Sequence, residues 1–194
     1  MPKSSNIIRL PKDLQEFAEE CVRMGQYESV ENVVFEALKE KRHTILLKEL
    51  DAADAELEVN LDIKCTPKEL MRSIYTELGL NQQPISSKVS LIYSLLAKQD
   101  IKRVLKDTKN NSRQIKPYGK LIEEALSVIA KNPKQGQPYS YERPGIFIYP
   151  VLQPNKTPRY VLFYRTSRTG IVKALRILHE CYLDEEISLK LFAS

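Results

Sequence analysis

No proline occurs between Pro11 and Pro67, whereas six of the chain's 11 prolines lie between residues 133 and 158. Proline lacks the N–H that an interior helical turn needs and clashes with the turn before it. The first stretch is therefore free to hold long helices, and the last has to be assembled from strands and turns. The apolar spacing agrees. Leu14, Phe17, Ala18, Cys21 and Val22 recur at helical period, and Gly25 follows as a C-terminal stop. Ser29 stands as an N-cap before Val30, Val33, Val34, Ala37 and Leu38. Leu46, Leu50, Ala53, Leu57 and Leu61 continue the stripe, so this helix is expected to run on past Lys41.

Ahead of these helices, residues 5–10 read as one strand, with Asn6, Ile8 and Leu10 on one face and Ser5, Ile7 and Arg9 on the other. A lone strand leaves its backbone groups unpaired. It is expected to join the edge of a later sheet or to pair with its copy in a second chain.

Thr66-Pro67-Lys68-Glu69 has capping-box spacing and opens a helix ending at Gly79. Residues 81–87 are the best linker candidate. Residues 88–109 read as helix, and a second helix starts near Pro117 and ends at Lys131, giving an antiparallel pair. Strand-like runs follow at 146–152, 160–165 and 171–178, with a hairpin loop at 166–170 and a short last helix within 184–192. The expected class is α+β: three antiparallel strands with one face on the helix pair.

The formal net charge of +5 hides an asymmetry: residues 1–92 carry 12 basic and 16 acidic side chains, residues 93–194 carry 18 and 9. Residues 49–62 hold six acidic groups and no basic one, and residues 98–120 hold eight basic and two acidic. The acidic stretch reads as a solvated helix face or as a docking segment for a basic partner. Cys21, Cys65 and Cys181 read as reduced thiols, and His43 and His179 have no metal-ligand spacing. Dinucleotide, phosphate-loop and nucleophile-elbow motifs are absent, so no cofactor or metal is expected. With no apolar run long enough to span a bilayer and no leader pattern in residues 1–8, a cytoplasmic protein is expected.

Two resemblances sharpen this reading. Ile-Ile-Arg-Leu-Pro-Lys-Asp-Leu at 7–14 and Gly-Gln-Tyr-Glu-Ser-Val-Glu-Asn-Val-Val-Phe-Glu-Ala-Leu at 25–38 resemble ParD-type antitoxins, which are ribbon-helix-helix DNA-binding proteins. The resemblance implies a homodimer paired through the N-terminal strand, with Ser5, Ile7 and Arg9 entering the major groove of operator DNA and Ser29 facing phosphates.

The second covers roughly residues 93–190. Ala97-x-x-Asp100-Ile101, Leu126-x-x-Ile129-Ala130-x-Asn132-Pro133-x-x-Gly136, Arg159 to Arg165, and Ala174 to His179 followed by Asp184 are similar to toxins of the RelE/ParE superfamily. It implies a helix hairpin on an antiparallel sheet and one of two activities. ParE-like members poison DNA gyrase by binding. RelE-like members cut messenger RNA on the ribosome, for which Arg165, Arg168, Arg176, His179 and Tyr182 are the available groups. The Arg176-Ile-Leu-His179 run favours the ParE branch.

The expected organisation is thus an antitoxin-like domain at 1–50, an acidic toxin-binding segment at 51–92 and a toxin-like domain at 93–194. Leu46, Leu50, Leu57 and Leu61 are expected to dock the acidic helix, in cis or across a dimer. A DNA-binding regulator with a degenerate toxin domain is the remaining alternative.

Overall fold

The computed structural model describes residues 9–59, 62–80, 89–107, 112–139, 144–151, 160–167 and 169–192. The chain divides into two compact units, residues 1–45 and 46–194. The first holds α1 (Lys12–Arg23) and the opening of α2 (Val30–Glu58). Gly25 adopts φ 71° just beyond α1, where its N–H donates to Val22 and that of Gln26 to Cys21. Ser29 Oγ accepts from the Asn32 N–H at 3.2 Å, the expected N-cap. The core of this unit is small: Ala18, Cys21 and Val33, with Val22 and Val30 against them. Of the expected strand, Ser5 and Ile7 lie outside the described residues; Arg9 and Leu10 have no regular secondary structure.

The second unit is built on a six-stranded mixed sheet. Its strands are β1 (Asp62–Cys65), β2 (Leu91–Ser94), β3 (Gln137–Pro138), β4 (Ile146–Val151), β5 (Tyr160–Thr166) and β6 (Val172–His179), in the order β1-β2-β6-β5-β4-β3. All neighbours are antiparallel except β2 and β6. The helices are α3 (Pro67–Leu78), α4 (Leu95–Asp107), α5 (Ser112–Lys131) and α6 (Glu185–Phe192), together with the last part of α2.

The α+β class holds, with three corrections. The sheet has six strands where three are expected. Residues 91–94, read as the start of a helix, are a strand. Buried on both faces, it has no polar alternation to mark it, and Val89, Ile92, Leu95 and Leu96 mimic helical spacing. Helix α5 begins at Ser112, ahead of Pro117. The proposed linker at 81–87 falls outside the described residues.

Both faces of the sheet are covered. On one, α3, α4 and α5 pack Leu70, Met71, Ile74, Ile101, Leu105, Ile122 and Leu126 against Leu91, Tyr93, Leu162, Tyr164 and Ile177. On the other, α2 and α6 pack Leu46, Leu50, Ala53, Leu57 and Leu191 against Ile146, Ile148, Val161, Phe163, Leu175 and Leu178. Strand alternation sorts the residues: Leu162 and Tyr164 face one way, Val161 and Phe163 the other.

Segment 46–80 therefore passes around the sheet. Its α2 part covers one face, β1 extends the edge beside β2, and α3 covers the opposite face. Thr66 and Glu69 form the expected capping box at the start of α3. Near its end Glu77 accepts from Lys98 at 2.6 Å and pairs with Lys102. Lys102, then Lys98, hold the Glu77 carboxyl down to about 2, below its unfolded value near ~4.3. This contribution is present above that unfolded value and disappears as pH falls through about 2. Because Glu77 is 39 % exposed, we expect Glu77→Gln to cost under ~1 kcal/mol at neutral pH and to remove this part of the acid limb in pH-dependent denaturation.

Gly136 sits where a Cβ would overlap Tyr164 Oη and approach the Ile148 carbonyl oxygen to 2.8 Å. The same Tyr164 hydroxyl accepts from the Gly136 N–H at 3.0 Å and donates to the Pro133 carbonyl at 2.7 Å. Gly136→Ala is expected to cost about 1–3 kcal/mol by urea unfolding, through displacement of that tyrosine.

Candidate functional site

The register of β6 sets the site. Phe163 pairs with Arg176 but Tyr164 with Ala174, so β6 carries a bulge at this step. Strict alternation would turn Arg176 away from Leu175. The bulge brings both to the α2 side, where Leu175 joins the apolar cluster and Arg176 meets Glu49.

Arg176 is almost wholly buried, its side chain 3 % exposed against 1 % for Asp100. Its Nε donates to Asp100 Oδ2 at 2.6 Å and its Nη2 to Asp100 Oδ1 at 3.0 Å. The same carboxylate accepts the Ile177 N–H at 3.1 Å, so an α4 side chain completes the backbone pairing of β6. Nη1 points to α2, where it donates to the Glu49 carboxylate. Burial works against the charge on Arg176, but Asp100 and then Glu49 outweigh it, so its pKa lies above the ordinary guanidinium value.

Two further contacts follow along α2. Arg165 donates to Asp54 at 3.2 Å through Nη1 and lies 3.1 Å from the same carboxylate through Nε. Glu56 Oε2 accepts the Leu96 N–H at 3.0 Å at the start of α4. The neighbouring amide of Ala97 is held by Ser94 Oγ at 2.9 Å, and that hydroxyl donates to the Leu175 carbonyl. A carboxylate at a helix N-terminus is favourable both as an acceptor and through the helix dipole. Three α2 carboxylates thus meet three positive points beside an apolar strip filled by Leu46, Leu50, Ala53 and Leu57.

The groups available for RNA cleavage do not converge. Arg165 and Arg176 lie on the α2 face, and Tyr182 packs against the cluster there. His179 lies on the opposite side, edge-on to Tyr160, which in turn meets Tyr118. Its Nδ1 accepts the Cys181 N–H at 3.1 Å. Arg168 and Leu61 lie outside the described residues. Arg9 is exposed, and Ser29 caps its own helix.

Sequence reasoning missed the roles of Asp100, Glu49, Asp54 and Glu56. Asp100 had a signal: a carboxylate between Ala97 and Ile101 on an apolar helix face needs a buried cation. Among the described residues no group of side chains could hold a metal ion, and no helix is long and apolar enough to cross a membrane.

Residues 91–180, just under half of the chain, match the family model described as the ParE toxin of the type II toxin-antitoxin system parDE. That segment spans β2 to the end of β6, including Asp100, Arg165 and Arg176, and leaves out α2, β1 and α3. Comparison with curated proteins gives no match.

Proposed function

We propose that the chain is a fused toxin–antitoxin protein whose segment 46–80 neutralises a ParE-like toxin part in the same molecule. The observation that carries this reading is the occupation of Arg176, Arg165 and the start of α4 by Glu49, Asp54 and Glu56. These carboxylates come from outside the family match, and their targets lie inside it. An antitoxin segment that covers its toxin would do this, and tethering holds it at a local concentration on the order of millimolar.

The toxin part acts on DNA gyrase by binding, without chemistry of its own. The separation of His179 from the two arginines argues against the ribonuclease alternative. The test uses the full chain with a specific protease site placed at 59–61. Cleavage followed by dissociation of α2 should turn an inert protein into an inhibitor of gyrase supercoiling. Message cleavage in a translating extract would move the assignment to the ribosome. No effect in either assay would remove the toxin reading.

The N-terminal unit acts as a ParD-like repressor of its own operator, dimeric through the strand at 5–10. Its exposed apolar residues support a second copy: Leu14, Phe17, Phe35 and Leu38 are each half or more exposed beside a three-residue core. Arg9→Ala is expected to weaken binding to the promoter fragment about tenfold and to lower the salt slope by about 1, read by fluorescence anisotropy. Unchanged binding would exclude Arg9 from the DNA interface.

A further inference from the structure

We infer that the sheet face beneath α2 is an interaction surface for an acidic amphipathic helix supplied by a second protein, and that α2 holds this surface by competition. The inference rests on the proposed reading in taking α2 to be a displaceable cover. The receiving surface is an apolar strip of Ile148, Val161, Phe163, Leu175 and Leu178. At its side stand Arg165, Nη1 of Arg176 and the Leu96 N–H.

The surface is preorganised without α2. Asp100 fixes Nε and Nη2 of Arg176 from within the family-matched segment, and Ser94 holds the first turn of α4. Only Nη1 is offered outward. A partner needs apolar residues with the spacing of Leu46, Leu50, Ala53 and Leu57, and carboxylates at the places of Glu49, Asp54 and Glu56. Charge sets the register, and the apolar strip supplies affinity. A nucleic acid fits poorly, because the strip is apolar and offers few cations for phosphates.

Only residues 59–61 separate α2 from β1. Both β1 and α3 are tied to the rest of the unit, β1 by its ladder with β2 and α3 by Leu70, Met71 and Ile74 in the larger core. Lifting α2 therefore uncovers one face of the sheet and leaves its edge and other face intact.

The test is binding of a fluorescent peptide copying residues 44–59 to the full chain, with and without Leu50→Asp in α2. The peptide is expected to bind the Leu50→Asp chain at least ~10-fold more tightly than the intact chain. Replacing its three carboxylates by amides, or introducing Arg165→Ala in the chain, should weaken binding about tenfold. Equal binding to both chains, or equal binding of the amide peptide, would overturn the proposal. So would displacement of the peptide by RNA or duplex DNA, which would assign the face to nucleic acid. Displacement by unlabelled wild-type chain would assign it to a second copy. If Leu50→Asp does not fold, Glu49→Gln/Asp54→Asn/Glu56→Gln loosens α2 without altering its apolar side and decides the same comparison. Peptide binding requires no toxicity, so a chain that binds the peptide yet leaves gyrase unaffected sinks only the toxin assignment.

Discussion

Asp100→Ala is expected to destabilise the chain by about 3–5 kcal/mol, the usual cost of leaving a buried charge without its partner. Arg176 and Asp100 are both nearly solvent-free, and each end of the pair is bidentate. Removing the carboxylate strips Nε and Nη2 of their acceptor and leaves the Ile177 N–H without its Asp100 bond. Glu49 reaches only Nη1, and its side chain is 41 % exposed, so it offsets little of the loss. Arg176 cannot neutralise itself by losing a proton, since its neighbours push its pKa upward. Urea unfolding should show the midpoint falling with an unchanged m-value. The double variant Asp100→Ala/Arg176→Met should recover much of the loss, because an apolar pair of similar volume removes the uncompensated charge. A single-variant cost below ~1 kcal/mol would mean that water reaches the pair.

This pair also marks where the sequence stops being legible. The helix stripes, the Thr66–Glu69 capping box, the Gly25 and Gly79 stops and the hairpin from β5 to β6 could be read directly, because each is local and has its own residue chemistry. The strip Leu46, Leu50 and Leu57 was legible as an apolar face, and the structure buries all three. The strands at 62–65 and 91–94 were not, since each is only four residues long. Their state is fixed by neighbours distant in sequence, β6 above all. Arg176 was singled out, but its direction was not, because a bulge is a property of two strands in register. The acidic run at 49–62 was visible as charge alone. Which of its carboxylates meet cations depends on the helix phase over the sheet, and only Glu49, Asp54 and Glu56 come around to the right side.

Leu50→Asp is expected to undock α2 and leave the rest of the 46–194 unit folded. Leu50 is fully buried among Leu46, Ala53, Leu57 and the sheet residues beneath them. Its loss removes about 1.5–3 kcal/mol of apolar burial, and a carboxylate there has no cation. Both aligned arginines are already engaged by Glu49 and Asp54. Desolvating the new charge costs several kcal/mol more, so the docked state becomes the poorer one. The penalty is capped by the option of lifting α2 off. The core between the sheet and α3, α4 and α5 includes no α2 residue, so it does not pass on the loss. Hydrogen exchange should show amides 46–58 losing at least ~100-fold protection, about 2.7 kcal/mol at 1.4 kcal/mol per decade, while β5 and β6 keep theirs. Leu70→Asp in α3 provides the contrast: it strikes the larger core and should unfold the whole unit. If both variants unfold everything, α2 is an integral layer of the fold and covers no separable surface. If only Leu50→Asp acts locally, expressing that chain in growing bacteria should arrest growth where the wild-type chain does not, since the change exposes the face without altering any residue of it.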